Sequence, residues 1–238
     1  MTVSSSAMRH GNAKPSRVKA RINGRDIAPL MPATGPVSVL IAGEAPGPRG
    51  ADKSGIPFFG DAAGRHLYRA LRTVGAVQLP DAVDAIAWNG VALLAAGFAP
   101  VAVNSALTNA FSRCPTDDGM HFRAPTRIEL EGEQNSMRLV AEIAACKARD
   151  LHGIVTLGKV AARTMQHVID KYFGGAIALH AVPHPSAQGL LSMAPDRGRG
   201  ARMADLQDQW REQCILAIRN AGFVAPIANT SPANSARN

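Results

Sequence analysis

VLIAGEAPGPRGADKSGIPFFGDAAG, residues 39 to 64, is the stretch that points most directly to a fold class. It opens with four apolar residues, Val39 to Ala42, and breaks at Gly43 into glycines, prolines and a few polar residues. A short apolar run that stops at a glycine is typical of a buried strand in a parallel sheet. We therefore expect a strand over residues 37–43 that leads into a long loop.

Three later stretches, residues 101–109, 153–158 and 176–183, repeat the apolar pattern, and helical spacing fills the gaps between them. The helical faces are Ala63, Leu67, Ala70, Leu71 and Val74; Leu139, Ile143 and Cys146; Ala161, Met165, Val168, Ile169 and Tyr172; and Met203, Leu206, Trp210, Cys214 and Ala217. A further helix is expected within residues 81–96, and an irregular insertion at 115–133. This alternation predicts an α/β fold, a three-layer α/β/α sandwich with a central four-stranded parallel sheet.

The charge of the chain favours a polyanionic partner. Its 238 residues carry a formal net charge of +8, with a pI of about 10. Nucleic acid is the first candidate partner and an anionic membrane surface the second, while a charge that only aids solubility is the alternative. No apolar run approaches the roughly eighteen residues that a membrane-spanning helix requires, so we expect a soluble protein.

The three cysteines, Cys114, Cys146 and Cys214, are far apart and odd in number. This pattern argues against a disulfide framework and favours a reducing compartment, here the cytoplasm. The chain has no CxxC pair, so we expect no conventional zinc site.

The two ends of the chain differ from its middle in composition. Residues 1–36 are polar and basic and are expected to form a disordered arm, with a targeting peptide as the alternative. Residues 37–222 are expected to fold, and residues 223–238 to form a disordered tail.

The loop that opens at Gly43 is the first candidate site, because ligands of open parallel sheets bind beyond the carboxyl ends of the strands. Its many glycines let backbone approach a ligand closely. It lacks the GxxxxGK[ST] and GxGxxG patterns of phosphate loops. Phe58 or Phe59 could offer a stacking face to a planar base, although packing beneath its own loop is an equally good interpretation of either ring alone.

Two polar residues lie at the ends of later strands. Asn109 could cap the next segment, or its carboxamide could pair with one edge of a nucleobase. His184 stands between Pro183 and Pro185, which restrict the chain on both sides of it. A neutral imidazole there could donate a hydrogen bond to an oxygen that becomes anionic.

The loop after His184 combines apolar and basic residues. Leu190, Leu191 and Met193 are followed by Arg197, Arg199 and Arg202. Apolar wedges beside arginines are what a protein uses to open a base stack while it holds phosphates. A lid that packs its leucines on the core is the alternative.

These segments, in this order, resemble the uracil-DNA glycosylase superfamily, and most closely its iron–sulfur branch, often called family 4. The matching motifs are GEAPG at 43–47, GIPFFGDAAG at 55–64, TN at 108–109 and HP at 184–185, with IVTLGKVAA at 154–162 similar as well. The resemblance spans roughly residues 37 to 218 and implies hydrolysis of the N-glycosidic bond of a flipped uracil in DNA, as in base excision repair.

The resemblance also implies roles for particular residues. Phe58 would stack on the base, Asn109 would pair with its edge, and His184 would stabilise negative charge on a uracil carbonyl oxygen. The implied catalytic residues are Glu44, Asp52 and His184; the substrate-binding residues are Gly43, Ala45, Gly47, Phe58, Asn109 and Ser186; and the DNA-binding residues are Leu190, Leu191, Arg197, Arg199 and Arg202.

Two departures from the family pattern affect the expected chemistry. The iron–sulfur branch uses four cysteines, of which Cys114 and Cys146 match two, and the segment before residue 37 has none. We therefore expect no iron–sulfur cluster and no metal, with these two cysteines buried and packing from the insertion in the cluster's place. Ala45 stands where the most active members carry Asp, which leaves Glu44 and Asp52 as candidates to position the attacking water.

The resulting hypothesis is a monomeric, monofunctional uracil-DNA glycosylase. Two other classes stay open. The loss of the water-positioning Asp motivates a nucleic-acid-binding protein without turnover on the same fold, and the glycine-rich loop alone would suit a nucleotide-handling enzyme.

Overall fold

The computed structural model describes residues 22–116, 118 and 121–225. The strands are β1 (Ile22–Asn23), β2 (Val39–Gly43), β3 (Val77–Gln78), β4 (Val101–Ala102), β5 (Ser105–Asn109), β6 (Pro115–Thr116), β7 (Gly153–Leu157) and β8 (Ala178–Val182). The α-helices are α1 (Ala51–Ser54), α2 (Ala62–Val74), α3 (Gly90–Ala95), α4 (Arg127–Glu131), α5 (Glu133–Lys147), α6 (Lys159–Phe173), α7 (Ala187–Leu191) and α8 (Met203–Asn220). Short 3-10 helices cover Asp81–Ala85 and Pro195–Gly198. In this part of the chain no helix has both the length and the apolar character to cross a lipid bilayer.

The central sheet has four parallel strands in the order β5-β2-β7-β8. Every residue of β2, β5 and β7 is buried, as expected when helices cover both faces of a parallel sheet. In the register of β2 and β5, Gly43 lies opposite Asn109. The predicted three-layer sandwich with a four-stranded parallel sheet is therefore confirmed, and its first two strands end side by side.

The two faces of the sheet pack against different helices. Val39 and Ile41 pack in a core with residues of α2 and α8, while Leu40 and Ala42 pack in a core with residues of α5 and α6. Because successive side chains of a strand point to opposite faces, neighbouring residues at a strand end serve different layers. This alternation places Thr108 on the α5 side of the sheet and its neighbour Asn109 on the α2 side.

The predicted strand over residues 101–109 is two strands, not one. Asn104 between them has a φ of 49°, a left-handed conformation that Asn adopts more readily than most residues. After this turn β5 joins the main sheet, whereas β4 before it pairs with β3 in a separate antiparallel ribbon. The apolar residues on both sides of Asn104 hide this break in the sequence pattern.

Two further segments also differ from the prediction. The helix expected within 81–96 is a 3-10 helix followed by α3, whose N-cap Asn89 accepts a hydrogen bond from Ala92 N at 2.8 Å. The expected irregular insertion contains β6 and the short helix α4. Thr126 and Glu129 begin α4 with a reciprocal capping box, a local signal that favours a helix.

The domain begins earlier than the sequence pattern indicates. β1 pairs with β6, and Leu30 exchanges two backbone hydrogen bonds of 2.9 Å with Leu107 at the edge of the sheet. Ile27 is also buried, so the prediction of a disordered arm is wrong for residues 22–36. The residues that pack here are few and spaced among polar ones, which is why composition missed them. The rest of the expected arm, and residues 226–238 of the expected tail, lie outside the described residues.

Candidate functional site

The first cluster of predicted site residues forms where β2 and β5 end. A Cβ added to Gly43 would overlap the Phe58 ring, with Cζ at 2.6 Å, and would lie 3.0 Å from Asn109 Oδ1. Ring and carboxamide therefore converge on the bare backbone of Gly43, where no larger residue fits. The structure brings these three predicted substrate-binding residues together.

The two adjacent phenylalanines have different roles. Phe59 is fully buried and makes edge-to-face contacts with Tyr68 and Trp88, at centroid distances of 5.5 and 5.6 Å. Phe58 has a φ of 63°, uncommon for a bulky residue, and this backbone conformation turns its ring toward Gly43. Packing beneath the loop therefore holds for Phe59. Phe58 is 7% exposed and packs in the same core, and its ring also lies against Gly43. The stacking role of Phe58 stays a prediction.

The side chain of Asn109 is buried at the end of β5. The residue is 3% exposed, and its Oδ1 has no hydrogen-bond partner within the described part of the chain. It does not cap the following segment. A buried polar atom without a partner costs roughly 1–3 kcal/mol, a cost that a ligand of matching polarity would remove.

His184 is held as a neutral hydrogen-bond donor. The backbone N–H of Ser186 donates to His184 Nδ1 at 3.2 Å, which assigns the ring proton to Nε2. Burial lowers the pKa of His184 and so favours the neutral ring. Trp210 Nε1 donates to the carbonyl of Pro183 at 2.7 Å and fixes the chain just before the histidine. These contacts leave the imidazole with one donor, Nε2–H, that has no partner among the described residues.

The two predicted acids of the first loop lie in different surroundings. Glu44 follows Gly43 directly, and burial raises the pKa of its half-buried carboxyl. Asp52 in α1 has its carboxylate against Gly24 and 3.0 Å from Lys53 Nζ. Glu44 is therefore the residue next to Gly43, which contacts Phe58 and Asn109. Asp52 lies against the segment that follows β1.

Asp61 is an acid that the sequence analysis missed. Its carboxylate accepts the Ala51 N–H at 3.3 Å and is also bonded by the backbone of Gly47 and Gly50. Burial raises its pKa to about 6 in spite of these bonds. Carbon atoms added to Gly47 or Gly50 would overlap this carboxyl, so both glycines are needed for its close approach. The signal available in the sequence was its N-cap position before α2.

A cleft of about 310 Å³ opens beside Asp61 and is lined by Pro48, Arg49, Asp61, Ala62, His121 and Phe122. The lining of this cleft includes none of the first-loop residues with predicted roles. Ala45 packs instead against a small apolar cluster that includes Ala110 and Phe111. Gly47 donates a backbone hydrogen bond to the Asp61 carboxylate.

The loop after β8 departs from the prediction. Leu190 is 1% exposed and belongs to the core with Leu206 and Trp210 of α8, so the assignment of Leu190 as a DNA wedge is wrong for this conformation. Leu191 is half-buried against the same core. The helix α7, capped by the Ser186 hydroxyl, turns Leu190 inward, which is the lid alternative weighed above.

The basic residues of this loop stay on the surface. Arg199 and Arg202 are exposed, as a phosphate contact requires. The side chain of Arg197 lies outside the described part of the structure.

Cys114 and Cys146, the two cysteines that match cluster positions, have different neighbours. Cys114 lies beside Gly24, whereas Cys146 packs with Leu139 and Ile143 in the other core layer. Both are buried as predicted, and burial raises the pKa of each thiol to about 12. No group of three or more His, Cys, Asp or Glu within the described residues could hold a metal ion. These residues do not fit a cluster held by four thiolates.

Comparisons with known proteins agree with the geometry. A family model described as "Uracil DNA glycosylase superfamily" matches residues 32–211. Two curated relatives, each named "Type-5 uracil-DNA glycosylase", come from Mycobacterium bovis and Mycobacterium tuberculosis, and each is 29% identical over 167 residues. The alignment covers 65% of this chain and 56% of each relative, so the chain spans just over half the length of the relatives it matches.

Proposed function

We propose that this chain, which belongs to the uracil DNA glycosylase superfamily, hydrolyses the N-glycosidic bond of uracil in DNA and leaves an abasic site for base excision repair. The observation that carries the proposal is the carboxamide oxygen of Asn109, which is buried without a partner among the described residues and lies with the Phe58 ring at the bare backbone of Gly43. A polar edge next to an aromatic face is what an extruded base requires.

Recognition begins when the base leaves the duplex, at a cost of a few kcal/mol. Phe58 stacks on the ring, and Asn109 offers an acceptor, Oδ1, and a donor, its amide nitrogen. Uracil presents an N–H beside a carbonyl on its pairing edge, and cytosine presents the opposite order. The wrong base would leave the buried polar groups of the site unpaired. Such a site can favour the correct base over the wrong one by a factor of about 10⁴ or more.

Bond cleavage leaves an oxocarbenium-like sugar and a uracil anion. Nε2–H of His184 donates to the carbonyl oxygen on which that negative charge collects. One such preorganised donor stabilises the transition state by roughly 3–4 kcal/mol. A neutral ring suits this task, since the donor gives no proton away.

Water adds to the oxocarbenium-like sugar from the side of the first loop, and the proton that it releases neutralises the departing uracil anion. Glu44 is our candidate to order this water, because it adjoins Gly43 and its raised pKa reflects a dehydrated setting. Asp61 holds the loop around Gly47 and Gly50. Asp52 is the weaker candidate, since its contacts are with Gly24 and Lys53.

We also propose that the protein acts as a monomer in the cytoplasm, with DNA as its partner. The exposed Arg199 and Arg202 are proposed to contact phosphates. Since the chain has three cysteines and a four-thiolate cluster takes four, we propose that the enzyme works without one. The purified protein should then be colourless; visible iron–sulfur absorbance with stoichiometric iron would contradict this.

The test of the activity uses an oligonucleotide with one uracil, incubated with excess protein and then treated with alkali to cleave abasic sites. Strand breaks at uracil are expected, and oligonucleotides with cytosine or thymine at the same position should stay intact. Asn109→Asp should accept cytosine or lose uracil, whereas unchanged selectivity would remove Asn109 from base recognition. No breaks at any enzyme excess would contradict the proposal.

A binding protein without turnover is the second candidate function. Ala45 favours it, because this residue packs among apolar neighbours where an acid would serve the water. Tight binding to the uracil oligonucleotide without alkali-sensitive breaks would support this alternative.

A further inference from the structure

Helix α5 carries an ion pair directly behind the strand end that holds Asn109. Arg138 Nη1 lies 2.6 Å from Glu142 Oε1, and their side chains are 20% and 10% exposed. Residues four apart on a helix are neighbours, yet a pair withdrawn from water is costly unless its remaining groups are bonded as well. Both partners have further bonds, and these bonds lead to the candidate site.

The other bonds of Arg138 go to the end of β5. Nη2 donates to the carbonyls of Asn109 and Ala110, at 2.9 and 3.1 Å. Nε and Nη2 also donate to Asn135 Oδ1, and the amide of Asn135 donates to the Ala110 carbonyl at 2.8 Å. The peptide groups next to the Asn109 side chain are therefore held from behind by charge-assisted hydrogen bonds.

Glu142 extends the same network to Thr108, the residue before Asn109. Its Oε2 accepts the Thr108 hydroxyl at 2.6 Å. Thr108 faces α5, and Asn109 faces the opposite layer with Phe58. Helix α5 therefore bonds Thr108 through its side chain and Asn109 through its backbone carbonyl. Within the described residues Asn109 Oδ1 has no hydrogen-bond partner, so this network acts on the carboxamide through the backbone of Asn109.

Resting on the proposed function, we propose that Arg138 is a positioning residue for base recognition. It contacts no substrate, and it sets the angle at which Asn109 presents its carboxamide to the base. A displacement of about 1 Å at a reacting site can cost about a hundredfold in rate. Lysine would keep a positive charge beside Glu142 but lacks the planar fork that bonds two carbonyls and Asn135 together.

A double-mutant cycle tests this role under single-turnover conditions with the uracil oligonucleotide. Arg138→Lys is expected to slow cleavage about tenfold when Asn109 is present and less than about twofold in an Asn109→Ala background. The matched control is Arg127→Lys, because Arg127 and Glu131 form an exposed pair of the same spacing at 2.7 Å on α4. This control should leave the rate unchanged.

An equal loss of rate in both backgrounds would show a general structural role for Arg138 and overturn the proposal. No loss of rate when Asn109 is present would overturn it as well. If the wild-type protein leaves uracil intact, the proposed function has failed, and the positioning role is then judged by NMR. The Asn109 side-chain amide signal, assigned by its loss in Asn109→Ala, should shift in Arg138→Lys and stay in place in Arg127→Lys. An unmoved signal in both variants overturns the inference.

Discussion

The loops that follow β2 and β8 each bury an apolar side chain in the same core, yet the two buried residues meet different neighbours. In the first loop Phe58 is 7% exposed, and its ring also lies against Gly43 at the strand end. In the last loop Leu190 is 1% exposed and packs with residues of α8, while the polar His184 lies beside Gly158. Both loops combine glycine, proline and apolar residues, so composition does not separate them.

The difference lies in what packs beneath each loop. Under the first loop, Phe59 fills the core against Tyr68 and Trp88, and Phe58 joins the same core with its ring against Gly43. Under the last loop, α8 offers an apolar surface around Trp210, and Leu190 of α7 covers it. The packing neighbours of a buried loop residue therefore decide where its side chain lies.

The largest expected effect is that of Leu190→Ala on stability. Removing a fully buried leucine from a core costs about 2–5 kcal/mol, because a cavity remains. Urea unfolding measures the loss, and Leu191→Ala, at a half-buried position, should cost less. Unchanged stability together with weakened DNA binding would instead make Leu190 a wedge and remove the contrast between the loops.

His184→Ala should affect chemistry and spare binding. Loss of one donor to a developing oxyanion slows the reaction about 10²–10³-fold. Single-turnover rates measure the chemical step, and fluorescence anisotropy with a labelled oligonucleotide measures DNA affinity, which should stay within a few-fold. Equal losses in rate and affinity would place His184 with the DNA contacts instead.

Ser186→Ala separates the two bonds that Ser186 makes. Its hydroxyl caps α7, and loss of such a cap costs about 1 kcal/mol of stability. Its backbone N–H, which orients His184, is unaffected by the substitution, so the cleavage rate should stay close to the wild-type value. A rate loss comparable to that of His184→Ala would show that the hydroxyl itself acts in the reaction.

Asp61→Asn should change how stability depends on pH. The pKa of Asp61 is raised from 3.8 to about 6, so the folded protein binds a proton that the unfolded chain has already lost in this range. This stabilising contribution is complete below about pH 4 and disappears as the pH rises through about 6. The wild-type protein should therefore lose stability relative to Asp61→Asn between pH 4 and 7.

Urea unfolding at pH 4, 5, 6 and 7 measures this difference in the free energy of unfolding. Asp208→Asn, at an exposed position on α8, is the control and should change the profile less. A relative gain for the wild-type protein as the pH rises would mean that the backbone bonds to the carboxylate outweigh its burial.

The sandwich and most of the site followed from local patterns. Apolar runs that stop at Gly43, Asn109 and Gly158 located three strand ends, because a buried parallel strand needs an unbroken apolar segment. Since parallel strands end at one edge of the sheet, polar residues just past those ends could be assigned to one site. Asn109 and His184 were found in this way.

What escaped prediction depends on contacts between residues far apart in the chain. Leu30 is ordered by its backbone bonds to Leu107, Leu190 by the surface of α8, and the Asp61 carboxyl by the amides of a folded loop. Arg138 reaches the carbonyl of Asn109 across the layer between α5 and β5. A periodic pattern records which face of an element is apolar, but the identity of the partner is fixed when the elements pack together. For this reason the sequence predicted where the strands end and which polar residues lie there. The hydrogen bonds that hold those residues, such as the bond from Arg138 to Asn109, depend on the tertiary structure.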